Sequence, residues 1–165
     1  MIKSKYVVVI GALLALSMIF GYIEMLLPSF LPNPAFKIGF SQIPILLTFY
    51  LINLKSSATV SIGKVLLMSL LFGYFLNYLF FVNIIGAIFS IFFIWLSKQL
   101  KFSVPMTSLM SSLGHNLGQF IVIGYTLGWS IALFYLPLII VFSIIFGLII
   151  GFISKILLIK IEKRF

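Results

Sequence analysis

The chain has 165 residues, of which 63% are apolar and 8% charged, and its mean hydropathy is +1.32. A soluble fold of this size carries about 25% charged residues to solvate its surface, so the composition describes an integral membrane protein. Eleven Lys and Arg face two acids, Glu24 and Glu162, for a formal charge of +9. With no Asp, no Cys and a single His, the chain lacks the carboxylates of Mg²⁺-diphosphate and phosphoryl-transfer chemistry. It equally lacks the ligands for iron–sulfur clusters, Cys-bound zinc or a doubly His-ligated haem, so neither metal nor cofactor is expected and no enzymatic activity is assigned.

A spanning helix needs about 20 apolar residues. Cutting the chain at charges, prolines and polar clusters predicts an all-α membrane protein, a single polytopic domain of six spans. The first covers 6–27. Its start, Met1-Ile-Lys-Ser-Lys5, has the outline of a signal peptide, but the apolar run continues to Leu27 without a small-x-small cleavage site, so a retained helix is expected. On it, Gly11-x-x-x-Ala15 and Ser17-x-x-x-Gly21 place small residues at helix-contact spacing. Gly11 and Ala15 are the candidate docking face for another membrane subunit.

Pro28-Ser-Phe-Leu-Pro-Asn-Pro34 forbids a continuous helix, and the second span, 38–54, lies between Lys37 and Lys55. Glu24 and Lys37 flank this proline-rich loop at the outer side. One reading is a salt bridge that fixes the loop, or Lys37 snorkelling to the headgroups. The other makes both charges recognise a ligand arriving from outside, with the loop as a lid.

No charge occurs from Val65 to Ser97, and one helix of that length would extend about 50 Å against a hydrocarbon core of about 30 Å. Two spans, 58–77 and 80–97, must share it. Lys64 then falls one to two turns inside the third span, and snorkelling to the inner interface is its expected role. Ser61-Ile-Gly-Lys64 resembles the end of a P-loop, but the leading glycine and the final hydroxyl are absent, so no ATP hydrolysis is expected. Asn77, with Ser69 and Gly73 at i+4 spacing, reads as a packing face.

The fifth span, 104–127, carries the most informative pattern: Ser108, Ser111, Ser112, His115, Asn116 and Gln119 share one helical face. Polar side chains are costly against lipid, so this face should point into the bundle. His115, Asn116 and Gln119 are candidate ligand-binding residues; interhelical hydrogen bonding is the alternative, and it suits the serines better, since these often bond their own helix. Gly114-x-x-x-Gly118 permits close packing. Gly128-Trp129 makes a tight turn into the sixth span, 130–154, and a basic tail, 155–165, follows.

Basic residues are retained on the cytoplasmic side. Six spans place Lys3, Lys5, Lys55, Lys64, Lys98, Lys101, Lys155, Lys160, Lys163 and Arg164 on one side and Lys37 on the other. Ten against one predicts that both termini face the cytoplasm in a multi-pass cell-membrane protein. The lysines stand singly or in pairs at the ends of apolar runs, without a patch of interleaved aromatics, so their partner is the bilayer surface and not nucleic acid.

Glu24-Met-Leu-Leu-Pro28, Lys37-Ile-Gly-Phe-Ser-Gln42, Gly63-Lys64-Val-Leu-Leu through Leu71-Phe-Gly73, and His115-Asn-Leu-Gly-Gln119 occur in that order. In these motifs the chain resembles the Gx transporter family, also named heptaprenyl diphosphate synthase component I, itself similar to the substrate-binding S components of energy-coupling factor (ECF) transporters. The resemblance covers most of the chain. It implies a six-helix S-component-like bundle and an outward-opening site for a small vitamin-like or isoprenoid-related molecule, with Gln42 joining the site residues. It also implies separate ECF-type transmembrane and ATPase subunits. A non-catalytic accessory of prenyl diphosphate or quinone synthesis, or of a flavin- or quinone-linked electron-export assembly, is the alternative it carries. The chain departs from the family where an Arg commonly follows the glutamate and another stands in span three; Met25 and Lys64 occupy those places, and Gln42 replaces a usual Asn. Lys lacks the bidentate fork of Arg, so a clamped bulky anion does not carry over.

Overall fold

The computed structural model describes residues 2–26 and 39–163. Lys37 and the proline-rich loop expected to act as a lid lie outside them. The described residues form six helices and no strand: α1 (Ile2–Leu26), α2 (Gln42–Leu51), α3 (Leu54–Leu71), α4 (Tyr78–Gln99), α5 (Val104–Leu127) and α6 (Trp129–Glu162). The all-α architecture agrees with the sequence reading.

Four helices, α1, α3, α4 and α6, are long and apolar enough to cross a membrane. The remaining two differ from them for separate reasons. With 24 residues α5 is long enough, but the polar stripe lowers its hydropathy. α2 is too short: its 10 residues rise about 15 Å, half a hydrocarbon core. It is instead the centre of the bundle. Gln42 to Phe49 are all buried, and Ile45 and Leu46 pack with Val60 of α3, Ile94 of α4 and Ile150 and Leu158 of α6. Pro44 is tolerated because a first-turn residue needs no intrahelical N–H partner.

Boundaries shift for identifiable reasons. Asn53 caps α3, its Oδ1 accepting from the Ser56 N–H at 2.8 Å, so the helix starts at Leu54, four residues ahead of the expected span. The α3–α4 turn occupies 72–77, where Gly73 and Leu76 have φ of 72° and 59°, earlier than the expected hairpin. At the far end, α6 runs for 34 residues without a break, so 155–162 continues the helix and is not a separate tail.

Glycine sets how closely the last three helices approach. A Cβ on Gly118 would lie 2.8 Å from the Ile85 carbonyl oxygen of α4, and one on Gly151 would lie 2.5 Å from Pro105 Cα of α5. Gly114 faces the Phe93 ring, and Gly147 faces Leu109. Small-residue pairs thus line both contacts of α5, the arrangement that lets membrane helices pack by backbone approach.

The Tyr6 hydroxyl meets Ser56 Oγ at 2.6 Å and accepts from Asn53 Nδ2 at 2.8 Å, while the Tyr50 hydroxyl donates to Thr107 Oγ1 at 2.9 Å. Asn53, Lys98 and Lys101 line one cleft of about 390 Å³. The start of α1, the α2–α3 connection and the α4–α5 connection therefore share one end of the bundle. Lys55, Lys98 and Lys101 stand there together.

Candidate functional site

At the other end, a small polar cavity lies between α1, the start of α2, α3, α4 and α5. Its volume is about 50 Å³, and Glu24, Ser41, Gln42, Lys64, Tyr74, Asn83, His115, Asn116 and Gln119 line it.

The α1 wall is a stripe of Ser17, Gly21 and Glu24. Ser17 Oγ donates to the Ser41 carbonyl at 2.9 Å, holding the start of α2 against α1. Gly21 leaves room for its neighbours: a Cβ there would meet Met68, Ser41 and Lys64 side chains at 3.5–4.0 Å. The chain enters α2 through Gly39, whose φ of 95° favours a residue without a Cβ. The Gln42 N–H then bonds the Gly39 carbonyl at 2.9 Å, and Ser41 and Gln42 are delivered to the cavity.

Ser41 joins the two charges. Its hydroxyl donates to Glu24 Oε2 at 3.1 Å and accepts from Lys64 Nζ at 2.9 Å. Glu24 is 7% exposed, and its Oε1 has no hydrogen-bond partner among the described residues. Lys64 sits ten residues after the start of α3, about 15 Å along it. Its ammonium turns into the bundle and does not snorkel to the inner interface. The expected role is corrected because α3 starts earlier than the apolar pattern suggested, which carries Lys64 further along the helix and within reach of Ser41.

From α2, Gln42 Nε2 donates to Ser90 Oγ of α4 at 3.5 Å, and Ser90 pairs with Ser111 of α5 at 2.8 Å. The Gln42 side chain is 8% exposed, and its Oε1 has no partner among the described residues. On α5, Gln119 Nε2 and His115 Nε2 are 3.1 Å apart, one turn separating them. Asn116 Nδ2 donates to Ser143 Oγ of α6 at 2.6 Å, and Ser143 in turn donates to the Ile139 carbonyl at 2.6 Å. Tyr74, in the α3–α4 turn, has its phenol pushed up by burial, so it is a neutral O–H group.

The α5 face therefore divides by height. Ser111 bonds a neighbouring helix, while Ser108 and Ser112 line a second space of about 30 Å³ with Gly39, Gln42, His115 and Asn116. His115, Asn116 and Gln119 reach the main cavity. Of the residues expected at the site, the structure brings together Glu24, Gln42, His115, Asn116 and Gln119; Lys37 lies outside the described residues. Sequence reasoning missed Ser41 and misassigned Lys64. Reading Asn53 as a helix cap would have moved the start of α3 and exposed the depth of Lys64. Ser41 stands inside the Lys37-Ile-Gly-Phe-Ser-Gln42 motif, but no helical spacing set it apart.

Gly11 and Ala15 are exposed on the face of α1 opposite Ser17, and an added Cβ at Gly11 meets nothing within 4 Å. Among the described residues no group of three or more His, Cys, Asp or Glu could hold a metal ion. The described side chains offer hydrogen bonds and one pair of opposite charges joined through Ser41.

No curated protein and no solved structure matches the chain. The family model for heptaprenyl diphosphate synthase component I matches residues 13–157, most of the length and every residue lining the cavity, and the chain belongs to that family.

Proposed function

We propose that the protein is a non-catalytic, multi-pass cell-membrane subunit that captures a small vitamin-like or isoprenoid-related molecule, in the manner of an ECF S component. The observation that carries this reading is the convergence of polar side chains from five helices on one cavity inside an otherwise apolar bundle. Intramembrane charges and amides are costly, and a cavity that gathers them marks a binding site more readily than a packing seam. About 50 Å³ holds only a few water-sized groups. The cavity is therefore a seat for a ligand's head, and the rest of the ligand extends beyond it. Energy would come from ECF-type transmembrane and ATPase subunits docking on the exposed Gly11 and Ala15 face of α1, where small residues let another helix approach.

The family's name favours a second reading, a membrane accessory that partners the other components of a prenyl diphosphate synthase. Mass spectrometry of material co-purifying in mild detergent separates the two. Capture predicts a stoichiometric small molecule with the wild type that is lost with His115→Ala. A co-purifying synthase subunit and no small molecule would replace the first reading by the second.

A further inference from the structure

Resting on the reading of the cavity as a ligand seat, the chemistry of its walls restricts what can sit there. Glu24 Oε1 and Gln42 Oε1 both belong to side chains more than nine-tenths buried, both line the cavity, and neither has a hydrogen-bond partner among the described residues. Both are acceptors. A carboxylate oxygen has only lone pairs to offer, and the Gln42 amide nitrogen is directed at Ser90, whose hydroxyl is paired with Ser111. The other Glu24 oxygen is occupied by Ser41, and that same hydroxyl holds Lys64, so the ammonium already compensates the carboxylate. Among the described residues neither of these two oxygens receives a proton.

We infer that the ligand's head is a hydrogen-bond donor, a neutral primary amide or a similar head with two N–H groups, one for Glu24 Oε1 and one for Gln42 Oε1. A neutral head leaves the Glu24–Lys64 charges balanced, where a cation would leave a net buried charge. A phosphate or diphosphate sets anionic oxygens against the Glu24 carboxylate in a medium of low dielectric, where like charges repel strongly. A quinone carbonyl brings lone pairs to lone pairs. A ligand has to donate to both oxygens to satisfy them.

Three phenyl probes of similar size test the donor requirement: benzamide, N,N-dimethylbenzamide, which keeps the carbonyl but has no N–H, and phenyl phosphate. Their binding to the purified full chain in detergent is followed by saturation-transfer NMR, with empty micelles as the control. Benzamide should bind saturably and about ten-fold more tightly than either other probe, the factor expected for one buried acceptor left unmade. Gln42→Leu should shrink the gap between the two amides. Dimethylbenzamide or phenyl phosphate binding as well as benzamide, and losing that binding in His115→Ala, would overturn the donor requirement and leave the seat standing. No probe binding above the micelle control would overturn both. The wild-type comparison decides the question even if the leucine variant does not fold.

Discussion

Ser41 occupies the decisive position at the level of single side chains, because one hydroxyl bonds both a buried carboxylate and an ammonium. Ser41→Ala removes both bonds while keeping the shape, and should lower stability by about 1–3 kcal/mol in thermal unfolding. Lys64→Met leaves the Glu24 carboxylate buried without compensation, so it should cost more than the double change Lys64→Met with Glu24→Gln, which removes both charges. Equal losses in the single and double variants would show that the two charges are not coupled. Along α5, the neighbours His115 and Asn116 differ. The Asn116 amide is tied through Ser143 to α6, so Asn116→Ala should lower both melting temperature and ligand binding. His115→Ala, which removes the partner of Gln119, should weaken binding by roughly 1–3 kcal/mol.

Glycine separates two kinds of helix face on the scale of whole elements. Gly118→Ala places a Cβ 2.8 Å from the backbone of α4, and backbone cannot yield as a flexible side chain does. About 1–3 kcal/mol of destabilisation is expected, in the range of overpacked cores. Gly11→Ala, with nothing within 4 Å, should leave the melting temperature unchanged. Gly11→Leu should then impair uptake in cells while ligand affinity of the purified protein stays near normal. Equal loss of uptake and affinity would assign that stripe to the protein's own fold. Gly86 joins helix packing to the site: a Cβ there would lie 2.9 Å from His115 Cε1, so Gly86→Ala should weaken binding without touching the cavity directly.

The whole bundle has one end where Lys55, Lys98 and Lys101 gather and another with the cavity and the α3–α4 turn, and the lysine bias predicts that the first faces the cytoplasm. A chain without cysteine gives a clean background for labelling. Ser130→Cys, in the first residues of α6, should react with an impermeant thiol reagent in intact cells, and Ser103→Cys, at the start of α5, should react only after permeabilisation. Both positions are exposed. The reverse pattern would invert the topology.

Composition alone determined that the chain belongs in a membrane, because lipid exposure demands residue types that can be counted. Periodicity placed His115, Asn116 and Gln119 on one face, since the 3.6-residue repeat is a local property of the helix. Glycine spacing likewise anticipated the close contact of α5 with α4. What remained hidden was whatever depends on distance between helices. The brevity and central burial of α2 follow from how α1, α3 and α6 surround it, and no count of apolar residues tells a buried half-helix from a span. The inward turn of Lys64 is decided by Ser41 and Glu24, which lie 23 and 40 positions away in the chain. A lone lysine in an apolar run has two ways to satisfy its charge, the headgroups or a buried partner. Only the tertiary structure brings the partner within reach, and with it the cavity.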